Sequence, residues 1–248
     1  MLHTAPTLRR ALALAAIPAL LVTGCLGGGD DGKAAESPSP KAESAEPTPE
    51  PVKYSTLPDT CKLVPAKLVE ELVPEVDHKS GEPLKTSDVA TYNGCQWSAL
   101  EDYDYRTLVV SLRRHESEVG VGSGDERAAR YAESQIKKLT GDKSLKGVEQ
   151  TAVEGVGDEA TGIAYEHTSD GDDYRTRTVV ARTGNVVVVV DYGGTGFEDG
   201  EKPSAKDLGE PAEKAAKQTI AALDKAKDQP KDEAEDKAED KAEGETEA

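Results

Sequence analysis

Apolar and polar positions alternate along residues 105–114, with Leu108, Val110 and Leu112 on one side and Thr107 and Ser111 on the other. A period of two predicts a half-buried strand there. A second strand is predicted over 92–99, where Cys95 and Trp97 point the same way at spacing two. The second half of the chain is richer in strand. Residues 160–166 lead through a hairpin loop at Asp170-Gly171-Asp172 into 174–182, which pairs through Thr183-Gly184-Asn185 with 186–192. Residues 186–190 are valine at every position, as expected of a central strand covered on both faces. A Gly-rich loop is expected over 193–200, and a turn at Gly155-Val156-Gly157-Asp158.

Helical periodicity marks three other segments. Residues 65–73 place Leu68, Leu72 and Val73 on one face, with Cys61 just ahead of the helix. Ser123-Gly124-Asp125-Glu126 is a capping box, and the helix it opens runs to about residue 139 with Ala128, Tyr131, Ala132 and Ile136 as its stripe. A closing helix over about 205–226 carries Ala212, Ala215, Ile220 and Leu223. Helices bracketing a meander predict an α+β fold: a single domain over 57–227, with an antiparallel β-sheet packed by helices.

The two ends follow another pattern. Arg9 and Arg10 are the only charges before Cys25, and an apolar run over 11–22 ends in Val22-Thr23-Gly24-Cys25. In that order these features predict a lipoprotein signal peptide over 1–24, cleaved ahead of Cys25, whose thiol takes a diacylglyceryl group. A crossing helix would need nearer ~18–20 apolar residues. An ordinary secretory signal with a chance cysteine and a retained single-pass anchor are the alternatives. Two acyl chains hold a protein stably, so the expected partner is the outer leaflet of the cytoplasmic membrane, on its extracytoplasmic side. Residues 25–56 are rich in Gly, Ser, Pro and Glu, and read as a disordered tether spanning roughly 30 Å as a coil and about 95 Å as polyproline. Residues 228–248 repeat Glu-Asp-Lys-Ala without an apolar stripe, and read as a solvated acidic tail; the alternative is an acidic arm for cations or a basic partner.

The chain holds 30 Lys+Arg against 48 Asp+Glu, a formal charge of -18. Such a surface repels phosphate backbones, so no nucleic-acid partner is expected. With Cys25 lipidated, Cys61 and Cys95 remain. An oxidising compartment favours their pairing, and the alternative is two separate buried thiols. A redox role would want Cys-x-x-Cys spacing, which this pair lacks.

Asp59-Thr60-Cys61-Lys62-Leu63, then Gly94-Cys95-Gln96-Trp97, then a Gly-Val-Gly-Asp-Glu-Ala turn over 155–160, all behind a lipobox and a Pro-rich tether, resemble a family of actinobacterial lipoproteins known as a domain of unknown function, DUF3558. The resemblance covers roughly 57–226. It implies export, an α+β fold and a Cys61–Cys95 disulfide, and it brings no catalytic residue with it.

Familiar chemistry finds little support. His78, His115 and His167 have no metal-ligand spacing, and His-Glu-x-x-His and Gly-x-Ser-x-Gly are absent. Gly120-Val121-Gly122-Ser123-Gly124 has the wrong spacing for a dinucleotide loop. Asp170-Gly171-Asp172-Asp173 opens like a calcium loop, but Arg175 and Ala181 stand where Gly and Glu would be needed. No metal, cofactor or catalytic residue is therefore expected. Trp97 is a candidate ligand-binding residue, the alternative being core packing on the disulfide. Arg106, Arg175 and Arg177 are candidates for an anion patch, the alternative being a solvated sheet face with local ion pairs. The expected function is a non-catalytic binding or sensing module for a wall, lipid, small-molecule or protein ligand. Two others stand beside it: an envelope interaction protein working through its surface or tail, and an enzyme with His115 or His167 beside a carboxylate in a cleft.

Overall fold

The computed structural model describes residues 48–198 and 200–227, so the predicted signal peptide, Cys25, most of the tether and the acidic tail lie outside the described residues. Seven strands form one antiparallel sheet in the order β1-β2-β3-β7-β6-β5-β4. In chain order they are β1 (Glu82–Pro83), β2 (Tyr92–Glu101), β3 (Asp104–Arg114), β4 (Lys146–Ala152), β5 (Glu159–Ser169), β6 (Asp172–Thr183) and β7 (Val186–Gly196). The helices are α1 (Thr60–Leu63), α2 (Ala66–Leu72), α3 (Gly124–Thr140) and α4 (Ala205–Lys227). This is the expected α+β domain with an antiparallel sheet.

The all-valine run forms the first half of the central strand β7. Val186, Val188 and Val190 point into the main core with Leu108, Val110 and Leu112 of β3 and Leu208, Ala212 and Ala216 of α4. Val187 points to the opposite face, where Ala128 and Ala132 of α3 cover it with Val180. The α2 residues Leu68, Val69 and Leu72 close the main core beside Cys95 and Trp97. Cys61 and Cys95 are disulfide-bonded, joining α1 to β2 across a sequence separation of 34. Cys61 lies inside α1 rather than ahead of the first helix, because Asp59 caps that turn by accepting from the Cys61 N–H.

The capping box is present in both directions: Ser123 accepts from Glu126 N, and Glu126 accepts from Ser123 N. Two hairpins turn tightly. Asp170 and Gly171 both take positive φ between β5 and β6, which Asp-Gly permits. Gly184 does so between β6 and β7.

Three features differ from expectation. Gly193, Gly194 and Gly196 continue β7 instead of forming a loop. Side chains there would strike neighbours: a Cβ on Gly193 would lie 2.7 Å from the Arg175 carbonyl, and one on Gly194 would meet that of Tyr105. The edge strands β1 and β4 were not expected. β4 has almost no buried face, so its sequence carries no alternation. The folded packing also starts ahead of residue 57. Tyr54 is 1% exposed, and its backbone N–H and C=O are both bonded to the Asn185 side chain.

Candidate ligand-binding face

One face of the sheet bears α1, α2 and α4, and all four residues singled out from the sequence fall on it. Trp97 is 2% exposed and sealed in the core, and its Nε1–H donates to Lys79 O. Gly81 passes so close over the disulfide and the indole that a Cβ there would meet both Cys95 and Trp97. Arg106 and Arg175 flank Gly194 across β3, β7 and β6, and Arg177 lies one row further along β6. The structure thus brings the three arginines together, but each has its own anionic or carbonyl partner. Arg175 holds Glu166 and the Pro203 carbonyl. Lys202 shares Glu166, and the two cations hold that carboxyl below its usual range. Arg177 reaches Glu213 of α4 at 2.9 Å and Thr151 at 2.7 Å, in space left by Gly162. Arg106 donates to Tyr105 O and lies 3.9 Å from Asp104. The hollow beside it, about 190 Å³, is also lined by Glu71, Glu101 and Asp104, so an anion entering would meet three carboxylates.

The other face is only partly roofed. Helix α3 starts against His115 and Asn185, and the chain then returns as β4, whose Lys146 pairs with Glu166. It therefore crosses the sheet diagonally, and among the described residues no other helix packs on this face. The corner it leaves is ordered in rows by strand register. The outermost row holds His167, Tyr174, the buried Thr195, Tyr105 and Leu100. The next holds Tyr165, Thr176, Gly193, Thr107 and Ser98, and the third Ile163, Thr178, Asp191, Val109 and Gln96. Small side chains in the second row form a shelf. Four rings stand along its outer side, with a fifth, Tyr165, in the row behind. His167 stacks on Tyr174 at 5.3 Å with Tyr165 6.0 Å behind it, Tyr105 meets Tyr174 edge-on at 6.2 Å, and Phe197 closes the row 6.2 Å from Tyr105.

Asp191 sits at the centre of this corner. Its carboxylate accepts from the Thr178 hydroxyl at 2.5 Å, and that hydroxyl also touches the Tyr165 OH at 3.4 Å. Burial pushes the Asp191 carboxyl up, with the Thr178 bond opposing it, and burial likewise raises the Tyr165 phenol. None of the ion pairs among the described residues involves Asp191. His167 Nδ1 is buried without a partner. An acid held without a cation, near hydroxyls and beside aromatic rings, can accept hydrogen bonds from an incoming ligand.

None of these residues was singled out from the sequence as a binding group. The signal was present at alternate positions of one strand: after Val187 and Val189, this face continues as Asp191, Gly193 and Thr195. A half-buried acid following two valines on a central strand is unexpected where the face is fully covered.

The two other histidines among the described residues are no closer to general-base geometry. His115 packs on Tyr131 at 5.1 Å among Arg113, Arg127 and Arg130, which with burial lower it to about 4. His78 is exposed and faces Glu82 at 3.7 Å. No three His, Cys, Asp or Glu side chains among the described residues gather closely enough to hold a metal.

Fold and disulfide define a class: a stapled, single-sheet α+β domain with one half-open face. The chain belongs to the family described as protein of unknown function (DUF3558), whose profile matches residues 20–222. No curated protein matches the sequence.

Proposed function

We propose that this is an exported, lipid-anchored protein that captures a ligand on the shelf beside Asp191, without catalysing a reaction. The observation that carries the binding site is Asp191 itself, a carboxyl at the centre of the sheet with a threonine hydroxyl as its partner and no cation. The residue is half-buried, and holding a carboxyl there without a cation costs free energy that packing does not require. The reading as a binder rests on what surrounds it: its side-chain hydrogen bond is to a threonine, and the nearby His167 stacks on a tyrosine. The anchor rests on the charged start, apolar core and Val22-Thr23-Gly24-Cys25, and the family match opens at residue 20, taking that box in.

The test is native mass spectrometry of the full chain isolated from its producing envelope. An added mass that is lost on denaturation and missing from a Thr107→Lys variant is expected. The bare mass in both proteins would sink the capture reading. For the anchor, Cys25→Ser should move the protein from the membrane to the medium, and an unchanged membrane fraction would refute it.

A further inference from the structure

We propose that the shelf takes a neutral, polyhydroxylated ligand, a glycan segment lying across the strands; this rests on reading the corner as a ligand site. The argument begins with charge. No lysine or arginine occurs in the three rows, and the central group is a carboxyl. An anionic ligand would be desolvated against Asp191 with no countercharge. A cationic ligand would find a single carboxyl, already engaged by the Thr178 hydroxyl, and no second acid in the three rows.

The remaining groups favour a hydroxyl-bearing partner. Ser98 and Thr107 are half-exposed on the shelf, Gln96 lies one row in, and Tyr165 closes the far end. Hydroxyls donate and accept, and a primary amide does both through separate atoms, so such a set suits a ligand whose own groups do both. The carboxyl adds an acceptor of higher strength. Along the outer side, the rings of Tyr105, Tyr174 and Phe197 stand at crossed angles of 87°, 53° and 80°. They offer apolar surface to the C–H groups that alternate with hydroxyls around a sugar ring. The shelf crosses from β5 to β2, four strand spacings or about 19 Å, and from the aromatic row to Asp191 is about 13 Å. That is the footprint of a short oligosaccharide rather than of a monosaccharide.

The test is a binding screen of the full chain in detergent against neutral tetra- to hexasaccharides of glucose, galactose, mannose and N-acetylglucosamine, with sulfated counterparts and alkyltrimethylammonium ions as further arms. A neutral oligosaccharide should be retained. Its affinity should fall about tenfold in Tyr105→Ala and in Thr107→Lys, and less in Asp191→Asn, which keeps one acceptor. Glu149→Gln on the edge strand β4 should change nothing. Gln96→Ala, at the half-exposed end, serves if a larger change disturbs folding. Retention of the ammonium or the sulfated sugar alone, lost in the same variants, would overturn the glycan assignment and leave the corner standing as a ligand site. If no probe binds, or binding ignores every shelf variant in folded protein, both readings fail.

Discussion

Replacing His115 by phenylalanine should remove most of the acid sensitivity of this fold between pH 6.5 and 4. The ring packs 5.1 Å from Tyr131, its Nε2 is buried without a partner, and its backbone is tied to Asn185 through the N–H (2.8 Å) and the carbonyl (2.7 Å). Burial and then Arg127, Arg113 and Arg130 oppose a further positive charge, lowering the group from 6.5 to about 4. The carboxylates near this cluster already serve its arginines, Glu118 on Arg127 and Asp88 on Arg113. As pH falls, the unfolded chain takes up the proton first. Stability is therefore intact above pH 6.5 and is lost progressively down to about 4. Such a displacement sets an upper limit of roughly 3 kcal/mol. Because the ring is only half-buried, water screening reduces the expected loss to about 1–2 kcal/mol. Asp191 acts with the opposite sign. Its carboxyl is raised in the fold, so between 3.8 and its folded value stability is gained as pH falls. Urea titrations at pH 7, 6, 5 and 4.5 on the parent and His115→Phe would isolate the histidine, since the Asp191 contribution is common to both. Identical pH slopes in the two proteins would refute the reasoning.

Opening the Cys61–Cys95 disulfide with Cys→Ser at both positions should cost about 3–4 kcal/mol for the 34-residue separation it spans, read from denaturant midpoints; a loss under about 1 kcal/mol would contradict this. Asn185→Ala removes three hydrogen bonds, two buried ones to Tyr54 and a partly buried one to His115 O. It should destabilise by about 2–4 kcal/mol and open residues 48–56 to limited proteolysis, and an unchanged cleavage pattern would count against that role. Glu213→Leu strands the Arg177 guanidinium in a largely buried site and should cost about 3 kcal/mol, while the Arg177→Met, Glu213→Leu pair should recover most of it in thermal unfolding.

How much of this was readable beforehand differed by element. Residues 105–114 declared themselves because Leu108, Val110 and Leu112 are fully buried and their neighbours are not. The run 186–190 could be called central because helices cover both faces of it, α4 on one and α3 on the other. Strand β4 escaped because an edge strand with an exposed face has no periodic burial to display. The glycines after Tyr192 looked like a loop because glycine usually weakens strands; here the close approach of β3 and β6 demands them. Arg175 and Arg177 looked like a patch because Glu213 of α4 lies 36 residues from Arg177, and only the β5–β6 register brings Glu166 to Arg175. Asp191 went unnoticed because a single acid after five valines reads as the end of a strand, and only register shows it flanked by Thr178 and Val109.

The chain enters beside the β6–β7 turn, where Tyr54 bonds to Asn185, and α4 ends at the same place, with Asp224 on the Tyr54 hydroxyl. The aromatic row stands at the opposite end, by the β5–β6 turn at Asp170-Gly171. A load applied between the shelf and residue 48 would therefore run along the strands. Interstrand hydrogen bonds lie perpendicular to that direction, so they would be sheared together and not opened one at a time. A domain pulled in this way behaves as a grip, and its resistance to tension is set by the β3–β7 and β6–β7 ladders.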